Sequence, residues 1–405
     1  MQKPIPTGYV TTTPMTNGGG HRQCTSWIDA FVSYTDNLES APLFRKWAAI
    51  TTISATLEQK VWVTTGSPLY PNLYIFLVGL AGIGKSRVIS ASTSFISELP
   101  ELHLGPTSPT MASLVDHLVE AKRTIINLPD PAYEYNSMYL VADELSAFMH
   151  EFDPGLVGGL TTFFDVVPYS QSRRTKDVRI KMQRPQLNIL SGATPSNLMK
   201  LIPDYAWEQG FTSRFIMVYA DEKPTIDVFN TPNKPKPKEM IHDLKLISTL
   251  QGQMGWTDDF AKAMHQWKLL GFVPSPQHPK LQSYCARRFS HLIKLSMVAC
   301  VDRGNELVLR VEDFNRAMGW LLEAEATMPE IFRVGLTSSD AKVMEEIAHF
   351  VRRRGKTSEH LIVGFARERV PAYAVKSVID VMVNSGMIVS TGQDLKTGLR
   401  IFTAS

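Results

Sequence analysis

Residues Gly79-Leu80-Ala81-Gly82-Ile83-Gly84-Lys85-Ser86 match the pattern G-x-x-x-x-G-K-[ST]. Glycines in such a loop let the backbone curl so that successive N–H groups face one anion. The start of the following helix adds its dipole. Lys85 is then placed to reach the β- and γ-phosphates of a nucleotide, and the Ser86 hydroxyl to ligate Mg2+. The candidate nucleotide-binding set is Gly79, Leu80, Ala81, Gly82, Ile83, Gly84, Lys85, Ser86 and Arg87, with ATP and Mg2+ as expected cofactors. Hydrolysis also needs carboxylates on a second strand. Ser137-Met138-Tyr139-Leu140-Val141-Ala142-Asp143-Glu144 supplies a buried run ending in two acids. Asp143 is expected in the Mg2+ shell, and Glu144 as the group that polarises the attacking water.

Two further residues follow along the chain. The run 186–195 reads as a strand that ends at Thr194, a hydroxyl placed for the water or the γ-phosphate, with Asn188 or Ser191 as alternatives and a turn-forming Thr-Pro as the structural reading. Gly210-Phe211-Thr212-Ser213-Arg214-Phe215 puts an arginine directly ahead of an apolar strand, an awkward place for a core position. Arg214 either projects toward a γ-phosphate held by a neighbouring subunit, a contribution of ~10³–10⁵ in kcat, or pairs with a local carboxylate such as Glu208.

These residues need elements to hold them. The strand LYIFLV (73–78) precedes the glycine loop and the helical run RVISASTSFISEL follows it. From there to about Asp221, strand-like and helix-like runs alternate, which predicts a parallel α/β sheet. Residues 1–27 read as a flexible arm and 28–70 as an N-terminal helical segment; 71–225 form the core, 226–335 a helical lid entered through a Pro- and Lys-rich linker, and 336–405 a last small domain after a break at 333–339. That last domain has helices over Asp340–Arg354, 358–368 and 372–385, then strands MIVST and LRIFTA around a glycine-containing turn, the pattern of a winged helix. Its ten basic and seven acidic residues fit either a nucleic-acid or a protein contact, with Arg352, Arg353, Arg354 and Lys356 as the phosphate patch.

Composition narrows the class. The chain has 405 residues, 44% of them hydrophobic and 20% charged, which excludes wholesale disorder. Three cysteines without a C-x-x-C pair argue against a disulfide framework or a cysteine zinc site. No apolar run is long enough to span a membrane, no signal peptide is recognised, and a cytoplasmic location is expected. Net charge is only +3, but residues 169–184 alone carry six basic residues and one acid. There Val178, Ile180 and Met182 alternate with Arg179 and Lys181, as in the return strand of a hairpin with Arg173, Arg174 and Lys176 toward its tip.

The order of parts (P-loop, Asp-Glu strand, basic stretch, strand ending in Thr-Pro, Ser-Arg-Phe, helical lid) resembles the AAA+ ATPases over roughly residues 40–330. Within them it is similar to the ATPase part of phage and mobile-element replicative helicases, through Pro-Asn-Leu-Tyr (71–74) and Gly-Phe-x-x-Arg-Phe (210–215). It is also similar to the MCM helicases, in which a Ser-Arg-Phe carries the arginine finger. The MCM sensor asparagine is Thr194 here and the acid after Ser-Arg-Phe is Ile216, so the phage-type likeness fits better. The resemblance implies an AAA+ core with an all-helical lid, a ring of subunits (a hexamer), and a second sensor arginine at Arg287, with Arg288 one residue away. It implies that the hairpin faces a central channel, where Arg173, Arg174, Lys176, Arg179 and Lys181 grip single-stranded DNA. The implied activity is an ATP-driven DNA helicase of phage or mobile-element replication. Core, lid and winged helix in this order also resemble Orc/Cdc6-type initiators and loaders that bind origin duplex.

Overall fold

A computed structural model describes residues 20–125, 132–149, 153–173, 178–208, 210–227, 229, 237–367, 370, 375–393 and 398–404. The chain divides into two compact units between Ile331 and Phe332, close to the boundary expected at 335/336.

The first unit begins with helices α1 (Trp27–Tyr34) and α2 (Pro42–Leu57) and the short strands β1 (Val61–Thr64) and β2 (Pro68–Leu69). Strand β3 (Tyr74–Val78) leads into α3 (Lys85–Ile96), followed by α4 (Met111–Glu120), β4 (Lys122–Ile125), β5 (Tyr133–Ala142) and α5 (Pro154–Asp165). A hairpin of β6 (Tyr169–Arg173) and β7 (Val178–Met182) precedes β8 (Pro185–Ala193), α6 (Pro195–Leu201), α7 (Asp204–Glu208) and β9 (Phe215–Tyr219). Then come α8 (Lys238–Ser248), β10 (Gly252–Gln253), β11 (Gly255–Trp256), α9 (Asp258–Leu269), α10 (Gln282–Arg303), β12 (Val308–Leu309) and the first part of α11 (Val311–Arg354).

The central sheet has the order β4-β5-β8-β3-β9. Strands β5, β8, β3 and β9 are mutually parallel, whereas β4 runs antiparallel to β5. The expected parallel sheet is thus a mixed one. An additional parallel bridge joins Leu104 to Tyr139 on β5. Every residue of β3 and β8 is buried, as a strand covered on both faces requires. Helix α2 is buried along most of its length and packs against α1, α3 and β8. Chain direction sets the important geometry. From β3 the chain crosses to β5 on one side, and from β8 it passes over β3 to β9 on the other. The adjacent C-terminal ends of β3 and β8 therefore form the switch point of the sheet, the crevice where open α/β sheets place ligands.

Two sequence expectations shift. The described part of the arm, from Gly20, is tied down: Gln23 and Cys24 donate their N–H groups to Asp243, and Arg22 donates to the Val301 carbonyl and Asn305. The break expected at 333–339 is helical, within α11.

In the second unit the last part of α11 is followed by β13 (Thr357–Ser358), α12 (Glu359–Ala366), α13 (Val375–Asn384), β14 (Ile388–Gln393) and β15 (Arg400–Ala404). Its sheet has the order β13-β15-β14, all antiparallel. Ile347, Val351, Ile362, Ile379, Met382 and Phe402 form its core. Both units together are mixed α/β. Among the described residues no helix is long and apolar enough to cross a membrane.

Candidate phosphate site and basic sheet edge

The loop between β3 and α3 wraps a cavity of about 570 Å3, lined by Ala81–Arg87 and by Asp143, Glu144 and Lys223. Gly82 and Gly84 take left-handed φ values of 81° and 87°. At Gly84 any side chain would also collide with the Glu39 carbonyl oxygen. The loop is therefore wedged against the turn between α1 and α2, and α3 starts with its free N–H groups facing the cavity. Ser86, in the first turn, is exposed to the cavity. The Lys85 ammonium is almost buried and donates to the Gly79 and Leu80 carbonyls at 2.7 and 3.0 Å. Burial lowers its pKa, and the charge of Glu144 works the other way.

Asp143 and Glu144 follow β5 directly, two strands from the loop, with β8 between. Gly192 on β8 closes that gap: a Cβ there would strike the Asp143 carbonyl oxygen and would come 3.5 Å from the Lys85 side chain. The same two acids line a second cavity of about 640 Å3 beside α3, with Ser90, Thr93 and Ser108. Oriented amides, a lysine, a hydroxyl and two carboxylates at one sheet edge suit a polyphosphate with its divalent cation. Among the described residues no group of three or more His, Cys, Asp or Glu forms a metal cage. A Mg2+ ion bound with a triphosphate needs only one or two protein ligands, the rest being phosphate oxygens and water; Ser86 and Asp143, which both line the cavity, would supply them.

Thr194 comes immediately after β8, at the same edge, but its hydroxyl accepts the Asn197 N–H and so caps α6. That hydroxyl also lies 3.4 Å from the Ser196 hydroxyl, where either group can donate, so its hydrogen is available outward when Ser196 is the donor. The alternatives lie deeper: Asn188 is buried, its amide oxygen taking hydrogen bonds from Ser54 and the Leu73 N–H, and Ser191 is buried within β8. Arg87 lines the cavity and reaches Glu39 at 3.4 Å. Glu39 also pairs with Lys223 at 3.3 Å. The sequence reading missed Glu39, Lys223 and Gly192. Lys223 sits in what composition marks as a linker, and no local pattern points to the other two.

Arg214 lies at the opposite end of the sheet. It precedes β9, whose register with β3 runs from Tyr74 opposite Phe215 to Val78 opposite Tyr219. At about 3.3 Å per residue, Arg214 is roughly 15–20 Å from the glycine loop of its own chain. Its guanidinium is nearly buried and pairs with Asp165 at 2.5 Å and with the Gly210 carbonyl at 2.6 Å; the side chain of Glu208, the partner expected from the sequence, lies outside what is described. Arg287, on α10, pairs with the other oxygen of the same carboxylate at 3.0 Å. Arg288 faces away and is fully buried. It bridges to Glu325 and donates to the Phe272 and Pro274 carbonyls. Its donors are spent on tying α10 to α11 and to the 272–274 segment, so Arg287 is the accessible member of the two.

Behind these arginines, His291 contacts the Ser213 carbonyl through Nε2 at 2.8 Å, and the Lys294 ammonium donates to both oxygens of Asn72. Burial pushes His291 down to about 3 and Lys294 down to about 7.

The hairpin projects beside this edge. Its register pairs Tyr169 with Met182, Ser170 with Lys181 and Ser172 with Arg179. Ile180 and Met182 are buried, Arg179 and Lys181 exposed. One face therefore packs and the other presents cations. Arg173 ends β6, while Arg174 and Lys176 lie outside the described residues.

No protein-family model matches the chain, and no curated protein is significantly similar to it.

Proposed function

We propose that this chain is an ATPase of the AAA+ type that works as a ring-forming motor on DNA, most nearly a replicative helicase of a phage or mobile element. One observation carries the reading. The cradle for a triphosphate and the arginine pair suited to its terminal phosphate lie at opposite edges of one sheet, too far apart to serve one nucleotide. A second copy, presenting its Arg214 edge to the glycine loop of the first, completes the site. Repetition of that head-to-tail contact closes a ring. In the completed site the loop amides and Lys85 hold the phosphates, Ser86 and Asp143 take the Mg2+, Glu144 orients the water, and Thr194 donates its remaining hydrogen. Arg214 and Arg287 come from the neighbour.

Breaking the β–γ bond changes the charge that those arginines meet. The basic hairpin, rooted next to Arg214, is the element through which that change reaches a DNA strand. The second unit, with its helices ahead of a small antiparallel sheet, supports the winged-helix reading, and Arg352–Arg354 end its first helix. Mixing Lys85→Ala with Arg214→Ala subunits tests the core of the proposal. Each variant alone is inactive, while the mixture regains ATPase activity because some junctions combine an intact loop with an intact arginine. No recovery at any mixing ratio removes the shared site.

A further inference from the structure

The proposed function assigns no role to Asp165, which lies where three parts of the molecule meet. It ends α5, it is the acid to which both Arg214 and Arg287 pair, and four residues later β6 of the basic hairpin begins. Among the described residues, Arg214 and Arg287 pair with this one carboxylate and the buried Lys294 feels its charge. The buried Nε of Arg214 has no hydrogen-bond partner among the described residues. The guanidinium is thus held but not saturated in this pose.

The next residue is strained. Val166 caps α5 in the left-handed region, φ 53° and ψ 44°, a conformation that a β-branched residue adopts rarely and at a cost of order 1–3 kcal/mol. Such a conformation persists only where the surroundings enforce it. Here they enforce it from both sides. The arginine clamp fixes Asp165 on one side. On the other, the Tyr169 ring packs edge-on against Phe163 of α5 at 5.1 Å.

We infer that Asp165 is a positioning residue, a placeholder for phosphate that stows Arg214 and Arg287 until a neighbour's nucleotide takes them, with Val166 as the hinge that links this exchange to the hairpin. The inference rests on the proposed ATPase site and adds its regulation. A carboxylate and a phosphate oxygen compete for the same guanidinium donors, so the arginines are in one place or the other. When they leave, Asp165 no longer fixes the end of α5, Val166 can relax, and the hairpin changes its angle. By linkage the reverse holds: DNA that pulls the hairpin loosens Asp165 and favours transfer of the arginines to the phosphate. DNA then stimulates hydrolysis by removing the cost of releasing the stowed pair.

The test measures Mg-ATP hydrolysis by the full chain with and without oligo(dT). Asp165→Asn keeps the shape of the side chain and removes its charge. It should raise the DNA-free rate about fivefold or more toward the stimulated rate, with KM for ATP little changed, so that stimulation by DNA falls toward unity. Asp165→Glu should restore part of the stimulation. Val166→Gly keeps the carboxylate and slackens the hinge; it too should reduce stimulation, and it covers the case in which Asp165→Asn does not fold. A carboxylate with a merely structural role would lower both rates in parallel and leave their ratio intact, and that result overturns the inference. So does an unchanged ratio in Val166→Gly. Lys85→Ala separates the two levels. If the wild-type rate does not depend on Lys85, the ATPase reading falls and the latch with it. If it does, and neither Asp165 nor Val166 moves the DNA ratio, the latch falls alone.

Discussion

The two edges of the central sheet handle charge by different means. At the C-terminal edge the anion-facing groups are largely backbone. They are fixed by the turn from β3 into α3 and wedged by Gly84 against the Glu39 carbonyl. At the N-terminal edge the groups are long side chains from two distant parts of the sequence, Arg214 and Arg287, brought together on Asp165. A backbone cradle is preorganised and costs little to keep ready. A pair of arginines without a counter-charge is costly to bury and needs an acid until its ligand arrives. Under the proposed function, the first edge receives a ligand of its own and the second is exchanged between partners.

The largest effects should separate the edges by kinetic parameter. Arg214→Ala is expected to lower kcat by ~10³–10⁵ and Glu144→Gln by ~10²–10⁴, both with ATP still bound, because neither group holds the phosphates in the ground state. Single-turnover rates alongside equilibrium binding of a fluorescent ATP analogue measure both quantities. An Arg214→Ala protein that hydrolyses ATP normally would leave that arginine a purely structural ion-pair partner.

A smaller effect concerns the hairpin beside the second edge. Arg179→Ala with Lys181→Ala removes exposed cations from one face while leaving Ile180 and Met182 packed. Binding of oligo(dT) should weaken, and the slope of log K against log[salt] should become shallower by ~0.7 for each phosphate that the variant no longer neutralises. An unchanged slope would mean that the strand lies elsewhere, and the comparison would then concern nucleotide alone.

Sequence legibility differed between the edges for the same physical reason. The cradle is local: eight consecutive residues, a strand before and a helix after, so its pattern and its elements are readable together. Asp143 and Glu144 are legible because an apolar run must stop where the sheet meets solvent. The fixed geometry of β3 and β9 then places Arg214, but its partner is not local. Asp165 lies in Phe-Phe-Asp-Val-Val-Pro, with nothing to mark it, and only the packing of α5 and α10 around the start of β9 brings it to both arginines. Thr194 shows the opposite ambiguity. Its place at the strand end is as expected, yet the same hydroxyl caps α6, a role equally written in Thr-Pro-Ser-Asn. The antiparallel β4 and the unbroken α11 were not legible either. A short run such as Lys122–Ile125 carries no direction signal, and Gly335 with Ser338 and Ser339 reads as a break until helical neighbours outweigh them.

The smallest effect tests whether the arginine edge also shapes stability, which the cradle should not do in the same way. His291 is buried between the Ser213 carbonyl and the stacked ring of Tyr284, with Phe164 nearby. Burial first, and then the charges of Lys294, Arg287 and Arg214, drive its pKa down to about 3, against the pull of the Ser213 carbonyl. An unfolded histidine titrates near 6.5, so between these values the unfolded chain binds the extra proton. Stability therefore rises with pH across this window and is lost as pH falls below about 6.5, by up to ~1.4 kcal/mol per unit. Between pH 6.5 and about 5 ordinary carboxylates are still mostly ionised, but burial also lowers His103 and His278 and brings Lys294 to about 7, so the share of His291 is the difference between the denaturant midpoints of wild type and a His291 variant. His291→Gln, which retains a donor for the Ser213 carbonyl, should flatten this limb, whereas Lys85→Ala at the other edge should leave it steep. Equal slopes in wild type and His291→Gln would assign the acid sensitivity to groups outside the arginine edge.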